Sequence, residues 1–334
     1  MNYLFELSKE HKTIPTSEVL SCLEAEKKYF EIADSNPNIL IINTRHNKMI
    51  NNAAERLSHS YYINEFLFSC KISIDKIKNS AKTKQIKQKG SIAIKYRNRS
   101  KKNNSQPILK ALAEIYTKDR KVILDKPDIE IRVIITDSNI YVGKKLFEIN
   151  RTQFEERKVQ NRPFFSPISL HPKIARSIVN LSTIKKGQVL IDPFCGTGGI
   201  ILEAGLIGLN VIGSDIEKKM IDGCRITLNH YKIENYKLFN SDIGDIHKHI
   251  KPVDAVVTDL PYGKSTTTKG EEKNQLYQRA FENISYILKN NCKAVIGISN
   301  IELLTIGEKY MTLIEVHDIR VHRSLTRYFV VYQK

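Results

Sequence analysis

The stretch from Leu190 to Gly263 constrains this chain most, because it repeats one local pattern four times: a short apolar strand that closes on an acid. Leu190-Ile191-Asp192 is the first, followed by Pro193-Phe194-Cys195-Gly196-Thr197-Gly198-Gly199 and a helix-like Ile200-Ile201-Leu202-Glu203-Ala204. Val211 to Asp215, Leu238 to Asp242, and Asp254 to Thr258 with Asp259 repeat the pattern. Strands spaced by helical stretches fold as a parallel α/β sheet. In such a sheet the terminal acids gather at the carboxyl edge, where ligands bind. The Gly-x-Gly-Gly turn lets backbone approach a ligand at a helix N-terminus. It is not a nicotinamide fingerprint, whose third glycine would stand at Ile201, and no Gly-x-x-x-x-Gly-Lys-Ser/Thr phosphate loop occurs.

The fourth strand runs into Asp259-Leu260-Pro261-Tyr262-Gly263. Taken alone this reads as a turn, since Asp, Pro and Gly are all turn formers. After three strand-end acids it resembles the catalytic loop of class I S-adenosylmethionine methyltransferases that act on exocyclic amines of bases. The resemblance implies a Rossmann-like α/β domain with cofactor motifs preceding the catalytic one, so no circular permutation is needed. It implies cofactor contacts from Asp192, Phe194, Gly196, Thr197, Gly198, Gly199, Asp215, Ile216, Asp242 and Ile243, with Asp215 suited to two ribose hydroxyls. It also implies that Asp259, Leu260, Pro261 and Tyr262 hold the base: Asp259 through its carboxylate, Leu260 through its carbonyl, Tyr262 by stacking. Many relatives carry proline where Leu260 stands, so the side chain at 260 is expected to be dispensable and proline to be tolerated there.

With 334 residues, about two domains are expected. A formal net charge of +17 points to a polyanionic partner, and no apolar run approaches the roughly 18 residues of a membrane span, so nucleic acid is preferred over a membrane. The N-terminus lacks a signal-peptide pattern, and a cytoplasmic protein is expected. The five scattered cysteines include no Cys-x-x-Cys pair, which favours a reducing compartment and no structural metal. Cys195 lies inside the glycine turn, but no Pro-Cys dipeptide accompanies it. It reads as a small packing residue rather than a nucleophile. The oligomeric state is not legible, with a monomer favoured.

Glycine usage divides the chain: Gly90 and Gly143 alone precede Gly187, and the other 13 of 15 run from Gly187 to Gly307. Residues 1–50 read as a compact βαβ-like unit, with strands at 3–7 and 38–42 around a helix opening near Pro15. From Lys71 to Lys110 there are 13 Lys or Arg against the single acid Asp75. Such runs are usually solvated surface. Here Ser91 to Arg97 alternates as a strand, which puts charge on an ordered face suited to phosphates. Ile129 to Ile135 alternates and returns through Ile140-Tyr141-Val142-Gly143 as a hairpin. This ending resembles the THUMP domain, an RNA-binding module of tRNA-modifying enzymes, and the opening resembles the ferredoxin-like domain that precedes it.

The expected division is therefore an α+β ferredoxin-like unit at 1–52, THUMP at 53–148, a polar linker at 149–162 and the methyltransferase domain at 163–334. Candidate RNA contacts are Lys95, Arg97, Arg99, Lys101, Lys102 and Arg132. His171, before the helix that Pro172 opens, touches the methionine end of the cofactor or merely caps the helix. Residues 263–273 form either a lid or an ordinary polar excursion. Over nearly its whole length the chain resembles the archaeal-type tRNA guanosine N2-methyltransferases acting at position 10, with S-adenosyl-L-methionine as cofactor and tRNA as partner. A DNA adenine or cytosine amino-methyltransferase shares the catalytic loop but not the THUMP-like half. A non-catalytic RNA-binding protein would not be expected to keep all four motifs.

Overall fold

The structure is a computed structural model that describes all of the chain except residues 165, 167, 168, 262–272 and 323–324, with side chains also left undescribed at 273, 321, 322 and 325. Two compact units emerge. One comprises Met1–Thr16, Lys28–Ala54 and Ser60–Asn150; the other comprises Ser17–Lys27, Glu55–His59 and Arg151–Lys334.

The first unit is built on a seven-stranded sheet. In chain order its strands are β1 (Asn2–Leu7), β2 (Glu31–Asn36), β3 (Ile39–Asn43), β4 (Ser60–Lys71), β5 (Ile92–Asn98), β6 (Ile129–Ile135) and β7 (Asn139–Glu148). They lie in the order β2-β3-β1-β4-β7-β6-β5. All neighbours are antiparallel except β5 and β6. The opening is thus not a βαβ arrangement, because β1 pairs antiparallel with β3, and β2, invisible in the apolar pattern, is the edge strand between them in sequence. Its sequence Glu-Ile-Ala-Asp-Ser-Asn is exposed almost throughout, as an edge that avoids further pairing requires.

Helix α1 (Ile14–Glu24) crosses the boundary between units at Ser17; α2 (Asn47–Ala54), α3 (Ile74–Thr83) and α4 (Ser105–Tyr116) belong to the first. Ile77 and Ala81 of α3, and Ile108, Ala111 and Leu112 of α4, pack on Ile129, Ile131, Val133 and Ile135 of β6. Every residue of β6 is buried, including Glu130 and Arg132, although the alternating pattern had implied one wet face. The two charges are buried as partners: Arg132 lies between Glu6 at 3.1 Å and Glu130 at 3.5 Å, and over the Tyr62 ring at 3.8 Å. Lys95 and Lys145 complete the network on Glu130.

The second unit is the expected doubly wound sheet. Helices α5 (Gln153–Glu156), α6 (Pro172–Leu181), α7 (Gly199–Leu206), α8 (Lys218–His230), α9 (Lys273–Ile287) and α10 (Leu304–Glu308) accompany strands β8 (Val189–Asp192), β9 (Asn210–Asp215), β10 (Tyr236–Asn240), β11 (Val253–Asp259), β12 (Leu288–Ile298), β13 (Thr312–His322) and β14 (Leu325–Gln333). The order is β10-β9-β8-β11-β12-β14-β13. Here β14 alone runs against the rest. One core joins α6, α7 and α8 to one face; the other joins α9 and α10 to the opposite face.

Residues 151–162 are packed into this unit rather than forming a free linker. Phe154 is fully buried, and Arg157 grips Glu203 of α7 with both Nε and Nη2, at 2.8 and 3.1 Å. Its polarity was misleading because Arg157 and Arg162 are buried and Arg157 is paired internally. The two short N-terminal segments of the unit are held by a buried polar network. Glu18 accepts from the backbone N–H of Ser58 and His59, from Ser58 Oγ and from Asn180 Nδ2. Arg56 in turn donates to Asn180 Oδ1 and to the carbonyl of Ile184.

Glu18→Ala should destabilise the protein by about 3 kcal/mol, since it strands several buried donors at once. Glu18→Gln, which keeps an acceptor and removes a charge that burial disfavours, should cost less. The shift of the urea midpoint for the two variants checks the ranking.

Candidate functional site

The carboxyl edge of the second sheet collects the acids read from the sequence. Asp192 ends β8 and is buried, accepting from Thr258 Oγ1 at 2.6 Å and from the Phe194 N–H at 3.1 Å. Burial pushes its carboxyl up to about 7; the two hydrogen bonds oppose this, and the neighbouring Asp215 and Asp259 reinforce it.

The turn after Asp192 depends on two left-handed glycines, Gly196 at φ 50° and Gly198 at φ 83°. At Gly198 a Cβ would stand 2.5 Å from Cys224 Sγ, so only glycine closes the turn over α8. At Gly196 a Cβ would meet nothing within 4 Å, so this backbone borders open space. Asp215, at the end of β9, accepts from the Gly196 N–H through Oδ2 and from the Glu217 N–H through Oδ1, each at 2.9 Å. Burial raises its carboxyl above the usual range.

Asp242 follows β10, accepts the Gly244 N–H at 2.7 Å and pairs with Arg279 of α9. Cys195 is buried, and its contact with Cys224 together with burial raises its thiol well above the ordinary value, as befits packing rather than attack.

Several expected contacts are modified. Ile243 puts its side chain into the core with Ile212 and Ile246, so only its backbone faces the edge. Ile216 engages Asn240 Nδ2 through its carbonyl. Thr197 is buried against Ser169 Oγ at 2.8 Å. Phe194 leans on the α9-side core, and Gly199 opens α7. His171 caps α6, its Nδ1 accepting the Lys173 N–H at 3.2 Å.

At the end of β11, Asp259 is largely buried, its side chain 14% exposed. Its Oδ2 stands 3.5 Å from Arg327 Nη1, and Oδ1 is buried without a hydrogen-bond partner. Burial pushes this carboxyl up to about 6 against the pull of Arg327. Leu260 is fully buried and its N–H donates to the Gly297 carbonyl at 2.9 Å. This corrects the expectation that position 260 offers only a carbonyl: its side chain fills core and its N–H extends the β11–β12 ladder. The Pro261 carbonyl accepts from Tyr277 Oη at 3.2 Å. Tyr262 and all of the lid candidate 263–273 but Lys273 lie outside the described residues.

A family model described as an RMKL-like methyltransferase domain matches residues 160–328. The tRNA (guanine(10)-N2)-dimethyltransferase of Methanothermobacter thermautotrophicus is 32% identical over 343 residues, spanning all of both chains. The chain belongs to the tRNA (guanine(10)-N2)-dimethyltransferase family. The enzyme of that name from Pyrococcus abyssi is 37% identical over 65% of each chain. A DNA methylase model also matches, over residues 9–226, and stops short of Asp259. Among solved structures, TrmN from Thermus thermophilus superposes over the full length of both chains with a TM-score of 0.56 at 16% identity. A possible methylase from Clostridium difficile does so with 0.58 at 17% identity, covering 100% of this chain and 99% of its own. These confirm the fold as that of class I S-adenosylmethionine methyltransferases preceded by an α+β unit.

Sequence reasoning missed Arg162, Arg279, Gly297 and Arg327. Arg162 is buried beside Gly199, with both Nη atoms lacking hydrogen-bond partners. Nothing in spacing marks the arginines. Gly297 did carry a signal, being an isolated glycine inside the apolar strand Ala294–Ile298, where such a residue indicates close approach.

Of the RNA candidates, Lys101 and Lys102 are exposed, while Lys95, Arg97 and Arg99 are partly so. Arg97 pairs with Glu6 and lies 3.7 Å above the Tyr61 ring, with Arg99 beside it at 5.7 Å. Arg132, 5% exposed and committed to two carboxylates, is withdrawn from the phosphate-facing set.

Leu260→Pro should lower stability by roughly 2–3 kcal/mol, through one lost ladder bond and lost core contact. Thermal melting of the variant checks this. Asp192 gives a pH prediction. Its folded-state value near 7 exceeds the unfolded value, so its contribution is favourable at low pH and declines as pH rises from about 4 to 7. Asp192→Asn, which keeps the acceptor, should therefore gain on wild type as pH rises, by up to about 4 kcal/mol at pH 8. Urea unfolding at pH 5 and pH 8 reads the difference, which should shrink at the lower pH.

Proposed function

We propose that this chain transfers methyl groups from S-adenosylmethionine to the exocyclic N2 of guanosine in tRNA, at position 10, giving N2-methyl- and then N2,N2-dimethylguanosine. The observation that carries the reading is Asp259. It places an unpartnered carboxylate oxygen at the end of β11, beside three cofactor-type acids, in a chain whose full-length relative bears that name.

The residues present fit the cofactor. Gly196 leaves open space at the sheet edge, Asp215 offers a carboxylate at the ribose position of such folds, and Asp242 offers another two strands from Asp192. Arg162, whose Nε donates to the Arg157 carbonyl while both Nη atoms beside the glycine turn lack hydrogen-bond partners, suits an anionic end. Bound there, the cofactor supplies an electrophilic methyl on a cationic sulfur.

The amine of guanine is a poor nucleophile because its lone pair is delocalised into the ring. Asp259 accepts one of its N–H bonds and the Leu260 carbonyl the other, drawing the nitrogen toward tetrahedral geometry and aiming its lone pair. Burial of Leu260, its N–H bond to Gly297 and the Tyr277 bond to the Pro261 carbonyl fix the direction of that carbonyl. Asp259, already holding one N–H of the amine, would take up the proton that the nitrogen gives up on methylation. Most of the acceleration comes from positioning. Tyr262 is assigned to stack on the flipped base.

The first unit is assigned to RNA affinity. We retain a ferredoxin-like part at 1–52 and a THUMP part at 53–148 as a division of labour on one continuous sheet. Lys101, Lys102, Arg97, Arg99 and Lys95 are the phosphate-facing set, and binding through them weakens steeply with salt as counterions are released.

Labelled S-adenosylmethionine with separate tRNA and DNA pools tests the reading. Label should enter tRNA as N2-methylguanosine, and Asp259→Ala should slow it about 10²–10⁴-fold with unchanged affinity for S-adenosylhomocysteine. Label in DNA would favour the base-methylase alternative. No transfer to either pool, with cofactor bound, would favour a non-catalytic binder.

A further inference from the structure

Strand β12 separates β11 from β14, so a side chain on β14 reaches the end of β11 only by passing over β12. At the crossing stands Gly297, paired with Asp259 on one side and with Phe329 on the other. A Cβ there would stand 2.3 Å from Asp259 Oδ1 and 3.0 Å from the Phe329 ring. Any side chain there would collide with Asp259 itself, so glycine leaves the room in which that carboxylate lies. Arg327 lies two positions from Phe329 and so shares its face. It is 6% exposed, and its Nη1 stands 3.5 Å from Asp259 Oδ2. That exceeds an ordinary N–H···O bond of about 2.7–3.2 Å. It lies well within the roughly 4–6 Å over which opposite charge favours ionisation.

We infer that Arg327 is a positioning residue of the methyl-transfer site, holding Asp259 through Oδ2, leaving Oδ1 for the N–H of the substrate amine, and keeping the carboxylate ionised. The inference rests on the reading of Asp259 as the group that accepts that N–H. Without Arg327 the surroundings of Asp259 are hostile to charge. Among the described residues, β8 presents Asp192, whose carboxylate repels, and α9 presents Tyr277, which burial keeps neutral. Gly297 and Phe329 add no charge. Burial has already pushed Asp259 to about 6 with Arg327 in place. Loss of the guanidinium raises it further, so the protonated acid, a weaker acceptor that cannot take up the amine's proton, persists to higher pH.

The test is single-turnover methylation of tRNA against pH, with saturating cofactor, for full-length wild type, Arg327→Met, Arg327→Lys and Asp259→Asn. Arg327→Met should move the acid limb of the rate upward by at least one pH unit, making it roughly tenfold slower than wild type below neutrality. Its affinity for S-adenosylhomocysteine should be unchanged. Arg327→Lys keeps the charge on a shorter reach, and should run slower while keeping the wild-type limb. An unmoved limb in a folded Arg327→Met variant overturns the inference. Should that variant fail to fold, Arg327→Lys decides: a wild-type rate overturns the inference, and a reduced rate on an unmoved limb supports it. Asp259→Asn separates the two levels. If it reacts as wild type, the assignment of Asp259 itself is wrong; if it is inactive while Arg327→Met keeps the wild-type limb, only the role of Arg327 falls.

Discussion

The crowding of carboxylates at one edge of a parallel sheet governs this protein. Asp192 and Asp215 end adjacent strands, Asp259 ends the strand on the other side of Asp192, and all three are raised above the ordinary carboxylate range by burial. Such a gathering is unfavourable unless the acids are hydrogen-bonded, protonated or faced by cations. The structure uses each remedy. Asp215 is held by two backbone N–H groups, Asp192 by a threonine hydroxyl and one N–H, and Asp259 by an arginine brought across β12. The left-handed glycines follow from the same demand, since the turn that supplies N–H groups to these acids must run close beneath whatever they bind.

The first unit handles charge differently. Its cations exceed its anions, yet several are not available as a diffuse positive surface. Glu6 and Glu130 draw Arg97, Arg132, Lys95 and Lys145 into one network, with Tyr61 and Tyr62 beneath two of the guanidinium groups. Planar cations stacked on aromatic rings are stiff, and a stiff array suits recognition of a shaped polyanion better than loose lysines do.

How much of this was legible depended on whether a feature has a period. The four strand-end acids and the glycine turn could be read directly, because they combine a fixed local order with residue types that have few other uses there. The strand β2 could not, since an exposed edge of Glu-Ile-Ala-Asp-Ser-Asn has no apolar alternation to report. Residues 149–162 read as a linker because polarity was equated with solvent, whereas Arg157 pairs internally with Glu203. Arg132 failed as an RNA contact for the same reason, its acids lying 126 and 2 positions away in sequence. Leu260 was judged by what relatives place there rather than by its neighbours, and its burial under β12 is a tertiary fact. Arg327 lies 68 residues beyond Asp259, and only the lone Gly297 hinted that something crosses there.

The second unit takes Ser17–Lys27 and Glu55–His59 from the beginning of the chain, and this bears on the order in which the molecule is made. A ribosome delivers Glu18, with its donors Ser58 and His59, and Arg56 long before Asn180 and Ile184, which complete the partners of both. Until then a nascent chain carries a carboxylate and a guanidinium destined for the interior but still in need of water. The catalytic unit therefore cannot mature segment by segment as it emerges. Its assembly waits for the C-terminal half, and a nascent chain halted before residue 180 would keep those two segments hydrated and unplaced, a natural handle for chaperones during synthesis.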